Sequence, residues 1–461
     1  MGITHALEND MRRQPNILIC TWHDTGRWFG CYGHETVQSP NVDALAADGW
    51  RFDRCFCTSA KCSPSRGSLM TGRYPQSNGL HYLCHGNFGW RLKDDTRHMA
   101  AVLGERGYRT VLHGFHHECP SNETARLGHH EAYNHLGGNP TWPVSPCDVI
   151  ADGAADWLRA RRDADTPFFM QLGFFETHRA YEFGGCQPDD ERGVEQPAWM
   201  QPSAGLEQDM AGLQGSIKKA DAAVGTVLQA LEECGQADDT IVLFTVDHGI
   251  DLPRAKGTCF EPGVEVACVL RWPAGGIAGG RASSRLISQV DVLPTLCELA
   301  GLETPPQMDG ISFADEFGTP RPDRQRRHIF TMIAEGEKRA VRDERYKLIR
   351  YGTGLREYVS PAPYGAVTGV APHYPGGQTA APALQLYDLE RDPLEQEDLA
   401  ADPTHVEIRQ ELDTALWQWM EQVGDPLIQQ LPHDPRWRDQ IRDYLNWRHE
   451  RDVRWAGRHS P

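Results

Sequence analysis

The first two thirds of the chain alternate short apolar runs with longer stretches in which apolar residues recur every three or four positions. The apolar runs predict buried strands at residues 16–22, 50–58, 108–112, 168–175, 241–246 and 264–270. The longer stretches predict helices at residues 39–49, 96–106, 148–162, 207–233 and 291–300. Strands that alternate with helices predict an α/β fold, in which helices flank a large, mainly parallel, layered sheet.

The pattern changes after about residue 327. Residues 328–334, 338–350 and 384–389 are extended segments without helices between them, and one helix is predicted at 404–423. We therefore expect a large domain over residues 1–327 and a smaller antiparallel α+β subdomain over residues 328–461. Within the latter, the Gly/Pro/Ala-rich residues 353–381 predict a loop, and the Arg/Trp-rich tail at 434–461 predicts an interface segment or a lid.

Composition and charge narrow the class of protein. The chain has 461 residues and a formal net charge of −18, which argues against nucleic acid or an anionic membrane surface as a partner. It has no apolar run of about 18 residues, so no membrane span is expected. Residues 1–14 lack the apolar core of a secretory signal, which predicts a cytoplasmic protein. The 13 cysteines include no CxxC pair and are expected to be reduced.

The stretch from Cys62 to Arg73 is the most informative one in the chain. Pro64 suits the first position of a short helix, and Gly72 suits its end. Cys62 would then lie where free backbone N–H groups favour an anion, with Arg66 one turn further along the same face. By itself the stretch supports two interpretations: an oxyanion-binding active site, or a buried structural cysteine beside a surface arginine.

Polar side chains follow four of the predicted strands. They are Asp24, His117, His178 and the pair Asp247-His248. Because ligands of α/β sheets gather beyond the carboxyl ends of the strands, these residues predict one shared site at that edge of the sheet.

Several ordered motifs resemble one family. Cys62-Ser63-Pro64-Ser65-Arg66, followed by Thr71-Gly72-Arg73, resembles the signature of the type I sulfatases of the alkaline phosphatase superfamily. Residues 15–18, 30–33, 39–45, 245–249 and 386–393 resemble other segments of the same family, and residues 175–179 resemble its heparan sulfamidase-like branch. The resemblance spans residues 15–425 and implies an alkaline phosphatase-like fold.

The resemblance implies an activity and a maturation step. Family members hydrolyse a sulfate ester or sulfamate, here of a carbohydrate or small organic sulfate. They do so with a divalent metal and a formylglycine that a formylglycine-generating enzyme makes from the cysteine, here Cys62. The hydrate of this aldehyde attacks sulfur. The sequence leaves the oligomeric state open, a homo-oligomer included.

The resemblance also implies roles for individual residues. The metal ligands would be Asp24, Asp247, His248 and the converted Cys62, and Arg66 would hold the aldehyde hydrate. Lys256 would contact the sulfate, His178 would lie near the leaving-group oxygen, and His117 would take the proton when sulfate is released. These roles suit the groups, because fixed cations stabilise sulfonyl oxygens and imidazole transfers protons near neutral pH.

Two positions depart from the family pattern. His23 stands where relatives have the first acid of an Asp-Asp pair. Either His23 is a ligand and the metal is manganese, zinc or iron rather than the family's calcium, or His23 does not bind the metal. Phe115-His116 stands where many relatives have Gly-Lys before the histidine, so one cation that faces the sulfate is missing unless His116 replaces it.

Two other functions are compatible with these motifs. One is the hydrolysis of phosphonate monoesters or phosphodiesters, since related formylglycine enzymes use nearly the same site. The other is a non-catalytic, anion-binding homologue in which Cys62 stays unconverted.

Overall fold

The computed structural model describes residues 14–84, 90–93, 97–133, 144–334, 338–351 and 384–428. The described strands of the first 300 residues are β1 (Asn16–Trp22), β2 (Trp50–Phe52), β3 (Cys55–Phe56), β4 (Arg109–Gly114), β5 (Glu131–Tyr133), β6 (Phe168–Gly173), β7 (Thr240–Val246), β8 (Cys268–Arg271), β9 (Arg281–Ser283) and β10 (Ile287–Ser288). Eight of them form one sheet in the order β5-β4-β6-β1-β7-β8-β2-β9, and β3 pairs with β10.

The strand β1 lies inside this sheet. It pairs in parallel with β6, where Cys20 is opposite Leu172, and with β7, where Cys20 is opposite Phe244. All seven of its residues are buried. A parallel strand that is covered on both faces reads as a continuous apolar run, which is why its position was visible in the sequence.

Helices cover the sheet. The described α-helices are α1 (Pro40–Asp48), α2 (Cys62–Thr71), α3 (Pro75–Asn78), α4 (Met99–Glu105), α5 (Cys147–Ala160), α6 (Ala204–Glu233), α7 (Glu261–Val264), α8 (Val292–Leu299) and α9 (Val406–Gln422). The long α6 packs along α5 and buries the face that contains Ile217, Val224 and Leu231. That face is the one that its three-to-four periodicity predicts.

The strand β8 differs from the prediction. It runs antiparallel to β7 and β2, whereas the other pairings of the main sheet are parallel. The predicted strand at 264–270 is also wrong in its first part. The helix α7, with Pro262 in its first turn, ends only at Val264, and β8 begins at Cys268. The sheet is nevertheless mainly parallel, so the predicted α/β class is confirmed.

The helix α2 begins two residues earlier than predicted. Lys61 is extended, and its carbonyl accepts the first helical hydrogen bond, from Ser65 N at 3.0 Å. Pro64 is thus the third helical residue, where a missing N–H costs nothing because the first turn has no intrahelical acceptors. Cys62 is the first residue of the helix, and Gly72 ends it with a left-handed φ of 63°.

The C-terminal part has its own antiparallel sheet. It consists of β11 (Ile329–Ile333), β12 (Lys338–Arg342), β13 (Tyr346–Tyr351) and β14 (Leu384–Asp388), in that order. The helix α9 packs on β12 and β13. The predicted smaller α+β unit is confirmed, while its boundary at residue 327 stays a prediction. The predicted loop at 353–381 and the tail at 434–461 lie outside the described residues.

Two further features concern the cysteines and the helices. All 13 cysteines are free thiols, and most are buried. Among the residues that the structure describes, no helix is long and apolar enough to cross a membrane.

A buried ion pair of the C-terminal unit is joined by a hydrogen bond from the first domain. Arg339 on β12 donates to the Asp425 carboxylate from Nε at 2.6 Å and from Nη2 at 3.0 Å, and Gln76 Nε2 on α3 donates to it at 2.7 Å. Burial raises the pKa of Asp425, but Arg339 outweighs burial and holds this pKa below its usual value. The carboxylate is therefore charged in the folded protein.

We predict that Arg339→Met lowers the free energy of unfolding by about 3–5 kcal/mol, because it leaves the buried Asp425 charge unpaired. Urea unfolding at pH 7 measures the effect. Arg350→Met is the control: it breaks the partly exposed pair with Asp413 and should cost less than about 1 kcal/mol. Equal losses in the two variants would contradict the importance of the buried pair.

The same pair predicts a pH dependence. Since the pKa of Asp425 is lowered on folding, its stabilisation is present at neutral pH. It is lost as the pH falls below the unfolded-state pKa of about 3.9 towards the lower folded-state value. The difference in stability between the wild type and Asp425→Asn should therefore shrink from pH 7 to pH 3.

Candidate active site

The candidate site lies where β1 and β7 end side by side. His23 and Asp24 follow β1, and Asp247 and His248 follow β7, so both pairs leave the sheet at the same edge. The N-terminus of α2 brings Cys62 to this point, with its Sγ 3.3 Å from His248 Nε2. All five side chains are buried.

Four of these residues could hold a metal ion. One ligand atom from each of His23, Asp24, Cys62 and Asp247 lies within 4.8 Å of the others. His23 Nε2 is buried without a hydrogen-bond partner among the described residues. His248 Nε2 faces the same point, 3.2 Å from Asp24 Oδ1, while its Nδ1 is 3.0 Å from the Gly249 carbonyl. Two carboxylates and two imidazoles at one buried point fit a divalent metal.

The Asp247 carboxylate is fixed by three donors. Its Oδ1 accepts from the backbone N–H groups of Asp24 at 3.0 Å and His248 at 2.9 Å. Its Oδ2 accepts from Arg66 Nε at 2.9 Å, and Arg66 Nη2 donates to the Trp22 carbonyl at 3.0 Å. Arg66 is thus held against Asp247 and the end of β1, one helical turn beyond Cys62.

The charges of the cluster favour an anion at Cys62. Burial by itself raises the pKa of the Cys62 thiol, but Lys256 and His248 outweigh burial and the opposing Asp247, and they lower this pKa to about 6. Burial lowers the pKa of His248, but Asp247 and Asp24 raise it to about 9. A thiolate is favoured in such an electropositive setting, as any anion in its place would be.

Lys256 reaches the cluster from the chain that follows β7. Its Nζ lies 2.6 Å from Asp24 Oδ2, 3.8 Å from Asp251 Oδ2 and 3.5 Å from His178 Nε2. Burial opposes its charge, but Asp24 holds the pKa of Lys256 well above its usual value. Burial and Lys256 together lower the pKa of His178 to about 4. The lysine is therefore charged and the histidine neutral at neutral pH.

His117 lies beside the cluster, behind an aromatic ring. The Phe115 ring is 5.3 Å from the His117 ring, 4.6 Å from the His23 ring and 5.4 Å from the Arg66 guanidinium carbon. His116 Nδ1 is paired with the buried Glu118 carboxylate at 3.2 Å. Phe115 thus fills space next to His23 and brings no charge.

The edge of the sheet carries backbone strain. Asp24, His117 and Thr177 are non-glycine residues with positive φ angles of 41°, 133° and 50°. The Thr177 hydroxyl donates to the His23 carbonyl and lies 2.7 Å from the Thr25 hydroxyl, which holds two of the strand ends together. Strained residues persist only where surrounding contacts impose them, and such contacts are typical of functional sites.

The structure brings most of the predicted residues together. Those in the cluster or in direct contact with it are Cys62, Arg66, Asp24, Asp247, His248, His23, Lys256 and His178, with His117 one ring away. Two hydroxyl residues beside the cluster, Thr177 and Ser65, were missed. Ser65 Oγ lies 2.5 Å from the Asp247 carbonyl oxygen and 2.7 Å from Gln289 Oε1, and its single hydrogen serves one of the two. No periodicity marks a hydroxyl that braces a loop, so the sequence offered no signal for them.

Comparisons with known proteins agree with this site. Residues 15–302 match the family model described as Sulfatase, and residues 255–359 match that of N-sulphoglucosamine sulphohydrolase, C-terminal. An ulvan-active sulfatase of Formosa agariphila is 30% identical over 448 residues, which cover 91% of this chain and 82% of that protein. The human N-sulphoglucosamine sulphohydrolase is 25% identical, with 90% of this chain and 92% of that protein covered.

A solved structure shares the fold. It is a protein in complex with its substrate D-glucosamine-2-N,6-O-disulfate, with a TM-score of 0.72, 19% identity, and coverage of 90% of this chain and 99% of that chain. The sequence matches confirm the resemblance that the Cys62 stretch indicated. The family model alone spans more than half of the chain, and sulfatases typically use a metal and a formylglycine, for which the buried cluster and Cys62 offer the place. The chain therefore belongs to the sulfatase family of sulfuric ester hydrolases, with the alkaline phosphatase-like fold.

Proposed function

We propose that this sulfatase removes sulfate from a carbohydrate, as a sulfate ester or an N-sulfate. The position of Cys62 carries the proposal: its Sγ lies inside the buried donor cluster, in an environment that lowers its pKa to about 6. A tetrahedral anion attached there would meet Lys256 on the side of Asp24. The names of the relatives, one for ulvan and one for N-sulphoglucosamine, support a carbohydrate substrate.

The proposed chemistry needs two groups that this chain would hold. With Cys62 converted to formylglycine and a divalent ion bound by Asp24, Asp247, His23 and His248, the site gains a hydroxyl nucleophile that ionises near neutral pH. Arg66 keeps Asp247 oriented towards that ion.

Lys256 has two tasks in this proposal. Its ammonium is a fixed cation in a largely buried site, where it stabilises the charge that develops on the sulfonyl oxygens. His178 Nδ1 lies against the Arg179 carbonyl, so it carries the proton of the neutral ring and its Nε2 can accept from Lys256. We therefore assign the proton donor for the leaving oxygen to the Lys256–His178 pair rather than to His178 alone. His117 would take the proton when sulfate is released.

We further propose that the metal is manganese, zinc or iron. His23 Nδ1 lies 3.0 Å from Asp247 Oδ2, and its ring packs against Phe115, Phe175 and His178 at 4.6, 5.7 and 5.3 Å. An imidazole held by an aromatic wall replaces a hard oxygen donor at the metal. Calcium prefers oxygen ligands alone, whereas imidazole suits zinc and iron, and manganese accepts carboxylate together with imidazole.

A substrate panel tests the activity. We predict that the peptide containing Cys62 is about 18 Da lighter than expected when the host contains the converting enzyme, because conversion replaces the thiol by an aldehyde. For that material, kcat/KM should be higher for glucosamine N-sulfate or an O-sulfated sugar than for a phosphonate monoester or a phosphodiester. A preference for the phosphorus compounds would instead establish the alternative hydrolase. Unconverted Cys62 from such a host would indicate a non-catalytic homologue.

Substitution of His23 tests the metal. We predict that His23→Asp lowers the affinity for Zn²⁺ by about 10- to 100-fold, because it removes an imidazole ligand, and raises the affinity for Ca²⁺. Calorimetric titration of the metal-free protein with each ion, with elemental analysis of the purified protein, measures the change. His34→Asp, at a partly exposed histidine paired with Glu195, is the control. Unaltered affinities for both ions in His23→Asp would show that His23 is not a ligand.

Substitution of Lys256 tests the electrostatic role. Lys256→Ala should lower kcat by about 100-fold or more, because it removes a charge that acts on the transition state. The far-UV circular dichroism spectrum should not change. Lys218→Ala removes an exposed lysine paired with Glu191 and should leave kcat as in the wild type. A variant in which only KM rises would assign Lys256 to ground-state binding.

A further inference from the structure

Lys256 lies on a segment, residues 250–261, that the C-terminal unit holds in place. We propose that four buried residues, Arg254, Glu261, Lys347 and Glu395, form a latch that positions Lys256 for catalysis. The C-terminal sheet is then part of the catalytic apparatus, although it acts through Glu261 and Arg254 rather than by bonds to the donor cluster. The inference rests on the role proposed above for Lys256.

The segment is anchored to the catalytic domain on the side of the site. The Gly257 N–H donates to the Ala60 carbonyl at 2.9 Å, two residues before Cys62, and the Lys256 N–H donates to the Ile250 carbonyl at 3.1 Å. These bonds attach the segment near its middle. Its first flank has two further partners in the catalytic domain, since Arg179 Nη2 donates to the Asp251 carbonyl at 3.2 Å and Trp199 Nε1 donates to the Pro253 carbonyl at 3.0 Å. The C-terminal unit adds contacts at both flanks, and a segment without them can tilt and move the Lys256 ammonium away from Asp24.

Arg254 holds the first flank. This residue, two positions before Lys256, donates from Nη2 to the carbonyls of Leu394 at 3.0 Å and Glu395 at 2.8 Å. Its guanidinium lies 4.2 Å from the centre of the Phe260 ring. Arg254 is 2% exposed and has a left-handed φ of 61°. The chain after β14 thus fixes the backbone just before Lys256 in a conformation that it would not adopt freely.

Glu261 holds the second flank. Its backbone N–H donates to Glu395 Oε2 at 2.6 Å, and its carboxylate lies 3.0 Å from Lys347 Nζ and 2.9 Å from Arg342 Nη1. Lys347 Nζ also lies 2.9 Å from Glu395 Oε1. Two acids, Glu261 and Glu395, and two bases, Arg342 and Lys347, thus form one buried network. A side chain that left this network would leave a buried charge behind.

The latch is rigid for that reason. Lys347 and Glu395 are 2% and 0% exposed, so water cannot replace their bonds. Lys347 lies on β13 and Glu395 lies in the chain after β14. Both bind Glu261 directly and so fix its position. Small displacements of a charged group at a reacting centre can lower a rate about 100-fold. The distance of 2.6 Å from Lys256 Nζ to Asp24 Oδ2 depends on this support.

A double variant, Lys347→Met/Glu395→Gln, tests the latch. It removes one positive and one negative charge and leaves the pair of Glu261 with Arg342 intact, so no buried charge is left alone. We expect kcat for an aryl sulfate to fall at least about 10-fold with little change in KM, since Lys256 acts on the transition state. In a Lys256→Ala background the same substitutions should change kcat less than about 2-fold, because the residue they position is gone.

The controls separate positioning from general damage. Arg350→Met removes a charge from the same strand, β13, but on the side that faces Asp413 of α9, and should leave kcat unchanged in both backgrounds. Mass analysis of Cys62 and metal content should be equal in all variants. An equal fold-loss in the presence and absence of Lys256 would overturn the latch. Undiminished kcat in Lys256→Ala would overturn both the latch and the role of Lys256.

Arg254 provides a second test if the double variant does not fold. Arg254→Lys keeps the charge and an N–H donor but loses the planar guanidinium that packs on the Phe260 ring, whereas Arg254→Ala loses charge, donor and ring contact. We expect kcat to fall in the order wild type, Arg254→Lys, Arg254→Ala, and this order to disappear in the Lys256→Ala background. The same order in both backgrounds would overturn the proposal.

Discussion

The carboxylate of Asp247 is the constraint on which the site depends. Its Oδ1 accepts from the backbone N–H groups of Asp24 and His248, and its Oδ2 accepts from the guanidinium of Arg66. These three bonds join the ends of β1 and β7 to α2, one turn after Cys62. A buried carboxylate without such donors would become neutral or unfold its surroundings. The bonds that keep Asp247 charged therefore also bring Cys62 to the candidate metal site.

The site places opposite charges at contact distance inside an acidic protein. The formal net charge is −18, yet Arg66 and Lys256 each contact one of the two buried acids. Their pairing lets the carboxylates remain ionised and leaves an electropositive position at Cys62. Local geometry thus outweighs the field of the whole surface, because the interactions are short and the surroundings exclude water.

His23 and Phe115 show how two substitutions combine in one place. In the sequence they are two separate departures from the family pattern, 92 positions apart. At His23 an acid is missing, and at Phe115-His116 a lysine is missing. In the structure their rings are 4.6 Å apart. An aspartate in place of His23 would face an apolar ring, and a lysine in place of Phe115 would face an imidazole bound to Asp247. Phe115 adds no charge beside this imidazole: burial and Arg66 lower the pKa of His23, but Asp247 and Asp24 outweigh them and raise it to about 10.

The sequence by itself determined the large parallel sheet, the separate C-terminal sheet and the identity of almost every residue in the site. Strands buried on both faces are continuous apolar runs. The motif around Cys62 indicates the family from its residues alone. Only the tertiary structure decided the antiparallel direction of β8, the contact of His23 with Phe115, and the contacts of Lys347 and Glu395 with Glu261. Strand direction and long-range contacts depend on which distant segments meet, and neither periodicity nor spacing along the chain encodes those meetings.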